Sequence, residues 1–102
     1  MAIAAITVAD LRVGVELSSG AARLRREKFV QDIIATIPVV DYDLQVAEAH
    51  AQLLVAVRHQ GRPRRAHDLL IAATARATRR TVVTADDTAF ADLPGVAVKS
   101  HR

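Results

Sequence analysis

Residues Ala66-His67-Asp68-Leu69-Leu70-Ile71-Ala72-Ala73-Thr74-Ala75 decide how this chain is read. From Leu69 to Ala75 every position except Thr74 is apolar. A helix that is apolar on nearly every side is buried on nearly every side. The pattern therefore predicts a buried helix over 66–79, with Leu70, Ile71 and Ala73 against a sheet. Shortly after it, Thr81-Val82-Val83-Thr84 is β-branched throughout and reads as a strand. A buried helix that feeds a strand is a building unit of an α/β domain.

Outward from this pair the alternation continues. Downstream, a short turn or helix is expected around 86–91, and Leu93-Pro94-Gly95 turns into a last strand at Val96-Ala97-Val98. Upstream, 59–65 is a polar loop. Before it, a helix capped by Asp41 or Asp43 runs to about Arg58, with Val46, Ala49, Leu53 and Val57 as its apolar stripe. Pro38-Val39-Val40 is a short strand or extended link, preceded by a helix over about 21–34 with Val30, Ile33, Ile34 and Ile37 inward. At the front, 2–6 suits a buried strand. Thr7 to Asp10 then reads as a capping box, opening a helix that ends near Leu17, before Ser18-Ser19-Gly20. Strands alternating with helices predict an α/β fold, with a mainly parallel sheet flanked by helices in a single domain over 1–102.

Composition narrows the function classes. The chain has 102 residues, 51% apolar but only 3% aromatic, so the core is built from Ala, Val, Leu and Ile. The absence of cysteine excludes disulfides and thiolate metal sites, and it suits a reducing cytoplasm. No apolar run reaches the roughly 18 residues of a membrane span, and the opening residues lack the basic start of a signal peptide. Net charge is +3. Arginines cluster at Arg23, Arg25 and Arg26 beside Lys28, at Arg58, Arg62, Arg64 and Arg65, and at Arg76, Arg79 and Arg80. Such clusters suit a phosphate backbone, or are simply a solvated basic surface.

Asp10, Asp68 and Asp86 each fall at a strand-to-helix edge or a helix start. In an open parallel sheet the ligand crevice lies at the carboxyl ends of the strands. Gathered carboxylates need a cation, and Mg²⁺ prefers oxygen ligands and needs few of them. Each acid also has a structural reading. Asp10 closes a capping box, Asp68 favours the helix dipole in a first turn, and Asp86 or Asp87 is a turn residue. Asp68 stands apart, because a charge beside a long apolar run is costly unless compensated. His50, His59, His67 and His101 are scattered, so a histidine-based site is the weaker idea.

The wording of 66–75 closely resembles the HDLLIAATA segment of VapC-type PIN-domain toxins. Thr81 to Asp86, then Phe90 and Leu93-Pro94-Gly95-Val96, resembles the close of that family. Ile6 to Gly14 and Gln60-Gly61-Arg62-Pro63 match its wording as well. The resemblance implies a PIN-like domain and assigns Asp68, Asp86 and Asp10 as metal-binding and catalytic acids. Asp10 stands where the family usually has Glu, one methylene longer. Thr84 matches a polar position beside the late acid and is expected to hold a water or a carboxylate.

The resemblance further implies a toxin of a type II toxin–antitoxin pair, an endoribonuclease using Mg²⁺, with Mn²⁺ as a substitute ion. Its partners would be RNA, held by Arg62, Arg64 and Arg65, a small cognate antitoxin, and a second copy in a homodimer. Family members usually begin with a strand ending in an essential Asp, followed by a helix. Neither has a counterpart here, so an N-terminally truncated domain is expected. Two other readings follow from that expectation. One is a catalytically weak or inactive chain acting as an antitoxin-binding module, and the other is a remnant without a stable fold.

Overall fold

The computed structural model describes residues 1–100; His101 lies outside them. The chain divides into two compact units, Met1–Asp41 and Tyr42–Arg102.

In the first unit a two-residue strand β1, Ile3–Ala4, leads directly into helix α1, Ala5–Glu16. Helix α2, Gly20–Thr36, follows, and then strand β2, Val39–Val40. The strands pair in parallel, Ile3 opposite Val39 and Ala4 opposite Val40, and the Ile3 amide extends the ladder to the Pro38 carbonyl at 3.0 Å. The expected capping box does not form. Helix α1 starts at Ala5 behind an extended Ala4 with no side-chain cap, which places Thr7 and Asp10 inside the helix. The strand is shorter than expected because its parallel partner offers only two residues, and the alanines on either side favour the helix.

Ala4, Val15 and Val30 are buried. Ile34, expected inward, is exposed. Charges tie α1 to α2: Arg12 pairs with Glu27 at 2.6 Å and with Glu16 at 3.3 Å, and Arg23 reaches Glu16 at 3.4 Å. Arg26 donates to the Gly14 carbonyl at 3.0 Å. Part of the first basic cluster therefore neutralises or ties this unit's own groups.

The second unit opens with α3, Leu44–Gln60. Asp43 caps it by accepting from the Val46 amide at 2.9 Å, and Gly61 ends it in the left-handed conformation, with φ 67°. After the loop 61–65 comes α4, Ala66–Ala77, then β3, Thr81–Thr84. A short 3-10 helix, Asp87–Ala89, and strand β4, Ala97–Ser100, complete the unit. β3 and β4 are parallel over their full length, Thr81 opposite Ala97 and Thr84 opposite Ser100.

The core of this unit is a seam between α3 and α4. Val46, Ala49 and Leu53 come from α3, and Leu69, Ala72, Ala73 and Ala75 from α4; Val82, Phe90 and Leu93 close it, with Val57 and Ile71 at the margin. The α3 stripe is the expected one. In α4, Ala73 is buried and Ile71 packs at the margin as expected, but Leu69 is buried and Leu70 only half-buried. Thr74 is buried too, its hydroxyl satisfied by the Leu70 carbonyl at 2.7 Å. Among the described residues no helix is long and apolar enough to cross a membrane.

Candidate active site

The functional residues of the second unit are set by where α4 begins and β3 ends. Asp68 occupies the first turn of α4. That turn has no side-chain cap, so its amides and the helix dipole favour a carboxylate there. Asp86 follows β3 after a single residue and is the N-cap of the 3-10 helix. Both line one open pocket of about 540 Å³, together with Arg62, Arg64 and Arg65 from the loop, and Thr84 and Thr88.

Asp86 is fixed tightly by its neighbours. The Thr84 hydroxyl accepts from the Asp86 amide at 3.0 Å and donates to the Asp86 carbonyl at 3.3 Å. The Thr88 hydroxyl donates to the Asp86 carboxylate at 2.6 Å. This last bond is the main reason the Asp86 carboxyl titrates below the ordinary carboxylate value. Partial desolvation by the surrounding protein opposes it, while the amides of Ala89 and Thr88 and the charge of Arg65 add to it. Asp86 is therefore an anion at neutral pH.

Thr84 thus does not hold the carboxylate, as its place beside the acid suggested. Its hydroxyl is used up on the Asp86 backbone, because the strand ends there and leaves that amide without a ladder partner. Thr88 holds the carboxylate instead. The available signal was an Asp followed two residues later by Thr, the spacing of an Asx-type turn.

Asp68, Asp86, Arg62, Arg64 and Arg65 are brought to one pocket. Asp10 belongs to the Met1–Asp41 unit, where it is exposed in the second turn of α1. Among the described residues, no group of three or more His, Asp or Glu side chains gathers so as to hold a metal by itself. The pocket nevertheless presents hard oxygen donors only, carboxylate and hydroxyl. Such a donor set suits Mg²⁺, which is commonly held by one or two carboxylates while it keeps several waters.

The three arginines are not equivalent. Arg62 and Arg64 both donate to the Ala91 carbonyl, at 3.2 and 2.7 Å. Arg62 also pairs loosely with Asp92 at 3.7 Å, both side chains being more than half exposed. Arg65 is exposed on the pocket wall, and its charge acts on Asp86.

A family model described as PIN domain matches residues 1–96. Ribonuclease VapC5 of Mycobacterium tuberculosis is 34% identical over 98 residues, covering 95% of this chain and 71% of that protein. The tRNA(fMet)-specific endonuclease VapC of Salmonella typhimurium is 31% identical over 99 residues, covering 97% of this chain and 74% of that protein. Among solved structures, the DNA-bound VapBC of Salmonella typhimurium matches with a TM-score of 0.89 at 31% identity, over 98% of this chain and 74% of that one. VapBC-5 of Mycobacterium tuberculosis matches with a TM-score of 0.86 at 28% identity, over 98% of this chain and 81% of that one.

Proposed function

This chain belongs to the PIN-domain family, with VapC ribonucleases among its relatives, and from that premise we propose that it is the toxin of a type II toxin–antitoxin pair, an endoribonuclease that uses Mg²⁺. The observation that carries the reading is the pocket itself, where Asp68 and Asp86 face a loop of three arginines. Acidic and basic side chains lining one cleft suit a phosphodiester: cations hold the backbone, and carboxylates work beside the scissile bond.

Asp68 and Asp86 would hold the ion; Mn²⁺ would serve as a substitute. When bound, Mg²⁺ supplies an activated water and neutralises charge developing on the phosphate. The protein's own part is orientation. Thr88 and the amides that follow Asp86 keep its carboxylate ionised and fixed in direction. Asp68 is held at a helix start that favours the charged form. Arg65 presents a positive charge within reach of an RNA phosphate entering the pocket.

A small antitoxin and a second copy of the chain are the proposed protein partners. Support comes from the matched solved structures, a DNA-bound VapBC and a member of the VapBC family of toxin–antitoxin systems.

The test is cleavage of labelled RNA by the purified chain with Mg²⁺ and with EDTA, beside Asp68→Asn and Asp86→Asn. Mg²⁺-dependent cleavage lost in both variants is the expected result. Cleavage that persists in EDTA or in Asp68→Asn would overturn it. Antitoxin binding without any cleavage would instead support the binding-module reading.

A further inference from the structure

We propose that Arg64, with Gln60 and Arg62, is a positioning residue that clasps the pocket shut along one edge, and that Arg65 alone of the loop arginines grips the RNA phosphate. The second half of this inference rests on the proposed ribonuclease function. The clasp is built from three side chains of the α3–α4 connection acting on two consecutive carbonyls. The Gln60 amide donates to the Asp92 carbonyl at 2.6 Å. Arg62 and Arg64 both donate to the Ala91 carbonyl, filling its two lone pairs.

Residues 90–96 form neither helix nor strand, so these carbonyls have no ladder partner and would otherwise need water. Asp92 also sits at φ 61°, a conformation that non-glycine residues hold only where their surroundings impose it. The clasp supplies that constraint. It joins the end of the segment that begins with Asp86 to the loop that leads into Asp68. Both stretches contribute residues to the lining of the pocket.

Arg64 is poorly placed for a phosphate. One Nη donates to Ala91 and the other to the Arg62 carbonyl at 2.9 Å, while its Nε is buried without a partner. With both Nη groups already donating to backbone carbonyls and Nε buried, this guanidinium is committed to the chain's own backbone before any phosphate arrives. Arg65 has the opposite character: it is exposed on the pocket wall, and its charge acts on the Asp86 carboxylate there.

Hydrogen exchange of the 87–93 amides, RNA binding in EDTA across a salt series, and kcat and KM with Mg²⁺ would be measured for wild type, Arg64→Ala, Arg64→Lys and Arg65→Ala. Loss of the clasp should speed exchange at 87–93 on the order of tenfold in Arg64→Ala. It should lower kcat by about 10- to 100-fold, the effect of a displacement near 1 Å, and leave the salt slope of binding unchanged. Arg64→Lys, keeping one donor, should recover part of both losses. Arg65→Ala should leave exchange alone, raise KM and reduce the salt slope by roughly 0.7, one contact on a single strand.

Unchanged exchange in Arg64→Ala overturns the clasp. A salt-slope loss in Arg64→Ala equal to that in Arg65→Ala overturns the division of roles. Should Arg64→Ala fail to fold, exchange in Arg64→Lys decides the clasp. If wild type neither binds nor cleaves RNA, the proposed function falls, and exchange still decides the clasp.

Discussion

Replacing Leu53 with Ala tests whether the α3–α4 seam is the core of the second unit. Leu53 is fully buried at 0% exposure, in a cluster whose α4 members include Ala72, Ala73 and Ala75. The change removes three carbons from full burial, which costs about 2.4 kcal/mol at roughly 0.8 kcal/mol each. Alanine methyls are rigidly attached to the backbone and cannot swing into the space left behind. A residual cavity on the order of 60–80 Å³ therefore adds about 1.5–2 kcal/mol, at roughly 24 cal/mol per Å³. The total is about 4 kcal/mol, in the upper half of the range for buried Leu→Ala changes. Small domains unfold with only about 5–15 kcal/mol, so most of the stability is at stake.

Thermal unfolding followed by circular dichroism should show Tm lowered by about 15–30 °C, from roughly 4–8 °C per kcal/mol. Urea titration should show a lower midpoint with unchanged slope. Leu44→Ala is the matched control on the same helix: Leu44 is 74% exposed, and its loss should stay within about 0.5 kcal/mol. A Leu53→Ala loss below about 1 kcal/mol, or one equal to the control, would refute the seam as the core.

Gly95→Ala should cost roughly 1–3 kcal/mol by urea titration, because Gly95 has φ 71° and an added Cβ would lie 2.9 Å from the Arg76 Nε. A neutral result would mean that the turn and Arg76 both yield freely. Asp43→Ala should lose about 1 kcal/mol, the usual cost of an N-cap, while Asp41→Ala should not; equal losses would contradict the observed bond to Val46. Asp86 titrates below its ordinary value, so its favourable contribution is complete at neutral pH and is lost as pH falls through the lowered folded-state value. Thr88→Val should move the Asp86 midpoint, read by carboxyl NMR, up towards the ordinary value near 3.9. An unmoved midpoint would show that the Thr88 bond is not the cause.

Where local chemistry decides the outcome, the residues could be read directly. β3 falls on Thr81–Thr84 because four β-branched residues leave little alternative. The α3 stripe appears as spaced, and Asp43 and Gly61 bound the helix by chemistry that operates within a few residues. Periodicity fails where it carries no phase. In α4 nearly all positions are apolar, so the pattern announces burial without saying that Leu69, and not Leu70, faces the seam. At α1 the capping signal lost to tertiary pairing, since a two-residue partner strand lets the helix begin three residues early.

The candidate site shows the same division. The meeting of Asp68 and Asp86 follows from a helix start and a strand end. The commitment of Arg62 and Arg64 to the Ala91 carbonyl does not, because the partners are 29 and 27 residues apart. Nothing in the spelling of a polar loop says which of its arginines will be taken by its own backbone.

The alanines of the α3–α4 seam have a consequence for how this chain can vary. Small side chains let two helix axes approach towards the lower end of the usual 8–10 Å separation. A spacer already at its minimum can be altered in one direction only. Enlargement at Ala72 or Ala73, both wholly enclosed, would wedge the helices apart. Because the loop 61–65 connects the two helices, the wedge would carry the rim of the pocket with it. Substitutions far from any reacting atom would then change the width of the cleft. Variants with an altered cleft should therefore be sought in these methyl-sized positions as well as among the residues that line the opening.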